Sequence, residues 1–126
     1  MSREQAREAV ERAAEAALAK KASDLVLLDL NEIASFTSYF LLCTGESVRQ
    51  VQAISNSVEE QLGRQGLSPA HTEGYENAEW VLLDYVDFVV HVFSPKARRF
   101  YDLERLWRRG ARLPVPEDKR PSPSPA

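Results

Sequence analysis

The stretch Trp80-Val81-Leu82-Leu83-Asp84-Tyr85-Val86-Asp87-Phe88-Val89-Val90-His91-Val92-Phe93 decides the fold. β-Branched and aromatic residues fill both halves, and Val86 with Asp87 forms the turn of a hairpin. Strand alternation puts Trp80, Leu82 and Asp84 on one face and Val81 and Leu83 on the other. In the second strand Val89, His91 and Phe93 share a face, opposite Phe88, Val90 and Val92. Upstream lies the polar, acidic stretch Thr72-Glu-Gly-Tyr-Glu-Asn-Ala-Glu79, so Trp80 stands at the mouth of a loop. Aromatics beside acids at a sheet edge are typical anchors for protein docking; packing in the core is the plainer reading of the same residues.

Residues 2–20 read as a helix with a capping-box pair, Ser2 and Gln5, and an apolar stripe made mostly of alanine. So little side-chain area predicts loose packing. Asp24 to Leu30 is too continuously apolar for a strand with one wet face. Phe36 to Thr44 is a second strand, and Ser47 with Gln50 starts a helix that stops near Gly63 or Gly66. Pro69 to Glu73 is an edge-strand candidate. Ser94-Pro95 opens a last helix with Phe100, Leu103, Leu106 and Trp107 on one side. The prediction is one α/β domain over residues 1–110, ordered α-β-β-α-β-β-β-α, with a five-stranded mixed sheet flanked by helices. Residues 111–126, rich in proline and serine, read as a disordered tail.

The chain has 126 residues, a formal charge of −3, one cysteine and two histidines. Those counts argue against a disulfide framework, a four-thiolate zinc site and a histidine-based metal site. Neither a signal peptide nor a membrane span is apparent, so the expected compartment is the cytoplasm. The charges are unevenly distributed. Residues 22–94 hold eleven acids against Arg49 and Arg64, whereas residues 95–112 hold seven basic groups against Asp102 and Glu104. An acidic body is repelled by phosphate backbones and drawn to a basic protein, and the basic segment can touch RNA at its edge. Chance asymmetry on a solvated surface is the alternative.

Four constellations could carry a reaction. Thr44-Gly45-Glu46-Ser47 looks like a phosphate-binding turn, but one glycine is no phosphate loop, Glu46 repels an anion, and a turn with an N-cap suffices. Asp84 and Asp87 flank a hairpin turn, where Asp is ordinary turn chemistry. His91 lies in a packed strand without a nucleophile motif beside it. Cys43, within Tyr39-Phe-Leu-Leu-Cys43, reads as a buried thiol. None makes an active site, a cofactor site or a metal site.

The ordered set Asp24-Leu-Val-Leu-Leu-Asp-Leu30, Ser35-Phe-Thr-Ser-Tyr-Phe40, Thr44-Gly-Glu-Ser47, Glu73-Gly74, Trp80-Val-Leu-Leu-Asp-Tyr85, Asp87-Phe-Val-Val-His-Val-Phe93 and Tyr101-Asp-Leu-Glu-Arg-Leu-Trp107 resembles the ribosomal silencing factor family, RsfS or Iojap. Ser38 stands where that family usually has Asp, Gln50 where it has His, and Val86 where Gly is common. The resemblance implies a nucleotidyltransferase-like fold without catalytic acids. It also implies a translational repressor that binds the large ribosomal subunit at ribosomal protein uL14. Bound there, the factor sterically blocks small-subunit joining when nutrients are short. Carried onto this chain, the docking candidates are Glu73, Trp80, Asp84, Tyr85, His91 and Tyr101. Arg98, Arg99, Arg108 and Arg109 are weaker candidates for ribosomal RNA. Two other readings stand beside this one: a nucleotidyltransferase-like enzyme using Thr44–Ser47 and Asp84/Asp87, and a homodimer that covers the docking face.

Overall fold

The fold was read from a computed structural model, which describes residues 1–106, 108 and 110–116. Its elements are α1 (Arg3–Ala19), β1 (Ser23–Asp29), β2 (Tyr39–Thr44), α2 (Val48–Gly63), β3 (His71–Glu73), β4 (Trp80–Asp84), β5 (Phe88–Phe93), α3 (Pro95–Tyr101), α4 (Leu103–Leu106) and β6 (Ala111–Leu113). The strands form one mixed sheet in the order β3-β4-β5-β2-β1-β6. Only the central β2–β5 pair is parallel, with Leu42 opposite His91. Among the described residues no helix is long and apolar enough to cross a membrane.

The five-stranded sheet expected from the sequence is corrected to six strands. Ala111–Leu113, assigned above to the tail, pairs antiparallel with β1, setting Arg112 opposite Leu28 and Leu113 opposite Leu27. An apolar strand with an open edge is an aggregation hazard, and this short partner covers it. Pro114 then ends the pairing, because it has no N–H to donate. Residues 117–126 of the expected tail lie outside the described residues, as do Trp107 and Arg109.

The single last helix is also corrected. It divides at Asp102, whose backbone is left-handed at φ 41°. Asp enters that region more readily than most residues. The break ends α3 and starts α4 in a new direction, so the apolar stripe read across Phe100 and Leu103 does not exist as one face. Phe100 is instead 79% exposed.

One sheet face is covered by α1 and α2. The buried alanines of α1 meet Val51, Ile54, Val58 and Leu62 of α2 and the inward residues of the strands. Here the expectation of loose packing fails. A stripe without long side chains brings the helix backbones close, and the Ser57 hydroxyl donates to the Ala16 carbonyl at 2.8 Å. Gln50 ties the start of α2 to the end of α1. Its Nε2 donates to the carbonyls of Lys20 and Lys21 at 3.1 and 3.0 Å, while its Oε1 accepts from the Glu46 N–H. The other face carries Val26, Leu28, Phe40, Leu42, Val89 and Phe93, partly covered by α3 through Ala97.

The β4–β5 hairpin forms across the expected turn. Tyr85 N–H donates to Phe88 O, and Asp87 N–H donates to Tyr85 O, both at 2.9 Å. The second bond spans two residues around Val86, which sits at φ 73°. That is the strained hand of the γ-turn, unfavourable for a β-branched residue. Asp84 Oδ1 holds it by accepting from the Val86 N–H at 2.8 Å. Because the Val86 side chain is exposed, Val86→Gly should relieve strain without opening a cavity. We expect a gain of about 1 kcal/mol, seen as a higher urea midpoint with unchanged slope. An unchanged or lower midpoint would show that the turn is not strained.

Candidate functional site: an aromatic row across one sheet face

Alternation along β4 and β5, together with the cross-strand pairs Trp80–Phe93 and Leu82–His91, delivers Trp80, His91 and Phe93 to the face opposite α1 and α2. Helix α3 then lays Tyr101 against the Trp80 ring, with centroids 4.6 Å apart. The rings form a continuous row. Phe36 lies 6.3 Å from Phe40, Phe40 is 4.5 Å from His91, and His91 is 5.9 Å from Trp80. Trp80 is also 5.3 Å from Phe93, and Phe100 meets Tyr101 edge-on at 5.0 Å.

His91 holds this row to the sheet. Its ring is only 3% exposed, and its Nδ1 accepts from the Trp80 indole N–H at 3.0 Å. To accept there, Nδ1 must be unprotonated, so the proton of the neutral ring sits on Nε2. Nε2 has no partner among the described residues. Burial pushes the pKa down to about 3. The imidazole is therefore a neutral acceptor at physiological pH and a poor general base.

The sequence candidates divide between two faces. Glu73 pairs with Leu82, and His71 with Asp84, so Glu73 and Asp84 share the Trp80 face at the β3 edge. Glu73 is exposed and takes His71 Nε2 at 3.2 Å. Tyr101, at the end of α3, is 46% exposed. Tyr85 is not brought to this group. It continues the Val81–Leu83 alternation, is 6% exposed among the α1/α2-side residues, and stacks on Phe88 at 4.9 Å. Burial raises its phenol pKa, and its hydroxyl lacks a partner among the described residues.

Two exposed aromatics were missed. Phe100 and Phe36 both extend the row and lie open, whereas the sequence reading placed Phe100 in the apolar stripe of a helix and Phe36 within a strand, and neither among the docking candidates. Loop 74–79, beside the face, depends on Gly74. Its φ is 81°, and a Cβ there would collide with the Trp80 carbonyl oxygen. Gln52 Nε2 donates to Tyr75 O, and Asn56 Nδ2 to the Tyr75 hydroxyl, each at 2.9 Å, pinning the loop to α2.

The other constellations have structural work. The Ser47 hydroxyl caps α2 by accepting from Gln50 N–H at 3.1 Å, and the Thr44 hydroxyl meets Arg98 at 3.0 Å. Asp84 braces the hairpin turn. Cys43 is fully buried, and desolvation raises its thiol to about 12. Among the described residues no group of three or more His, Cys, Asp or Glu is placed to hold a metal ion.

The pH consequence follows from the His91 shift. The folded state keeps His91 neutral down to about pH 3, whereas the unfolded chain protonates it near 6.5. Between these values the unfolded state binds more protons, so stability falls as the solution is acidified. The His91 contribution should shrink by about 2 kcal/mol from pH 7 to pH 5. Urea midpoints at the two pH values measure this, and His91→Gln should flatten the difference. An equal pH dependence in both proteins would refute the assignment.

Comparison with known proteins shows the family. The family model described as "Ribosomal silencing factor during starvation" matches residues 3–126. The ribosomal silencing factor RsfS of Bacillus subtilis is 43% identical over 88 residues, 70% of this chain and 75% of that protein. A solved structure from Chromobacterium violaceum superposes with a TM-score of 0.80 at 39% identity, covering 86% of this chain and 88% of the other. One from Bacillus halodurans gives 0.73 at 42%, covering 80% and 94%. The chain belongs to the ribosomal silencing factor family, a family of non-catalytic regulators that silence translation through the large ribosomal subunit.

Proposed function

We propose that the aromatic face docks on ribosomal protein uL14 of the large subunit, and that the bound chain blocks small-subunit joining by steric exclusion. The observation that carries this reading is the row from Phe36 through Trp80 to Phe100. Its inner members are held by the His91 bond and its outer members lie open. An exposed apolar and aromatic patch of this kind marks an interaction surface. Rigid aromatics lose little entropy on docking, so they supply affinity by desolvation. Glu73 and Asp84 at the β3 edge add steering toward a basic partner. His91 acts through Trp80 as a positioning residue, since its ring is itself buried. Tyr85 faces α1 and α2, so its contribution is to the packing that supports the hairpin. Self-association through the same face would compete with docking.

Co-sedimentation with isolated large subunits tests this. Trp80→Ala and Tyr101→Ala should each weaken binding by about thirtyfold, the effect of losing a hot-spot side chain. Tyr85→Phe, which keeps the packing, should leave binding unchanged. Wild-type chain that stays off large subunits at moderate salt, or Trp80→Ala that is folded and binds normally, would refute the proposal.

A further inference from the structure

At the end of the sheet far from Glu73, α4 and β6 enclose a concave site of about 290 Å³. Its walls are Arg105, Arg108, Arg112 and Asp102, and Val26 and Leu28 form part of its floor. Two features of the fold assemble it. The left-handed turn at Asp102 ends α3 and starts α4, whose Arg105 lines the concavity together with Val26 and Leu28 of β1. The pairing of Arg112 with Leu28 places that side chain on the same face as the aromatic row. Neither feature is visible in a reading that continues one helix through Asp102 and leaves residues 111–113 unpaired. None of the three arginines is within ion-pair distance of a carboxylate among the described residues.

We propose that this concavity binds a backbone phosphate of ribosomal RNA when the chain is docked, with Asp102 accepting from a ribose 2′-hydroxyl. It rests on the large-subunit docking just described and adds a second class of contact to it. Three arginines lining one concavity suit an anion with several oxygens. Arginine presents a planar fork of donors, and a phosphate can take donors from more than one fork at once. A single carboxylate has fewer positions to fill, and the volume exceeds what it needs. Asp102 would be a defect in a site for a bare anion. In a site for RNA it has a use, because the 2′-hydroxyl is a donor that DNA lacks. Position also favours RNA. The acids of the face lie at the β3–β4 edge and these arginines at the β1–β6 edge, so one face meets a basic protein with one end and a phosphate with the other.

Two measurements on the full chain test the site. In the first, affinity for large subunits is followed as KCl rises from about 50 to about 300 mM. Replacing Arg105, Arg108 and Arg112 together with Gln should make the slope of log affinity against log salt shallower by about one unit, as expected when one phosphate contact is lost. Trp80→Ala should lower affinity with the slope unchanged. In the second, the arginine Nε–Hε NMR signals of wild-type chain are titrated with a short oligouridine, the matching oligothymidine and oligoglutamate. The three pocket arginines should shift most with oligouridine, less with oligothymidine and least with oligoglutamate. A triple variant with wild-type affinity and slope overturns the site and leaves the docking reading standing. Shifts as large with oligoglutamate assign the pocket to protein carboxylates and overturn it equally. Wild-type chain that ignores subunits refutes the docking and with it the ribosomal RNA contact, even where the oligouridine shifts appear.

Discussion

One hydrogen bond, from the Trp80 indole to the buried His91 Nδ1 at 3.0 Å, holds the aromatic face in place. His91 lies on β5 between β2 and β4, opposite Leu42 on one side and Leu82 on the other. A ring in that position cannot move without disturbing the centre of the sheet. The bond transfers this rigidity to Trp80, and the Tyr101 stack passes it on to the end of α3. An aromatic anchor fixed before its partner arrives loses less entropy on binding. The arrangement has a cost, since a neutral imidazole is kept dry with Nε2 unpartnered among the described residues. A buried polar atom left unsatisfied destabilises by roughly 1–3 kcal/mol. Core packing alone would be served better by a phenylalanine, so the histidine is best understood through what it does for Trp80.

Around this anchor the face is polarised. Glu73 and Asp84 occupy the β3–β4 end, the aromatic rings cross the middle, and Arg105, Arg108 and Arg112 gather at the β1–β6 end. The opposite face is spent on α1 and α2, whose alanine stripe allows close approach. The two sides of one sheet therefore divide the labour. One carries the larger core, and the other a smaller buried cluster beside the open aromatic rings. Helix α3 covers only part of that second side, through Ala97 and the Tyr101 stack on Trp80, and its Phe100 is exposed.

Much of this was legible in the residues. Strict alternation in Trp80–Asp84 and Phe88–Phe93 gives the faces of both strands, because a pleated strand has no freedom to do otherwise. Capping serines at 2, 47 and 94 mark three helix starts, each confirmed by a hydroxyl accepting a backbone N–H. What was not legible depends on tertiary context. Three residues at 111–113 are too few to carry a period, and only the open edge of β1 makes them a strand. The break at Asp102 has no glycine or proline to announce it, so Phe100 was grouped with Leu103, Leu106 and Trp107 on one side of a single helix. Tyr85 belonged by alternation to the α1/α2 side, and its place beside the Trp80 motif in sequence obscured that.

The most direct test of the central claim is hydrogen–deuterium exchange of the full chain with and without isolated large subunits. If the aromatic face is the docking surface, amides of the loop before Trp80 and of α3 through Asp102 should gain protection on binding. Amides of α1 and α2 should exchange as in the free chain. Protection confined to α1 and α2, with the Trp80 face unchanged, would contradict the account.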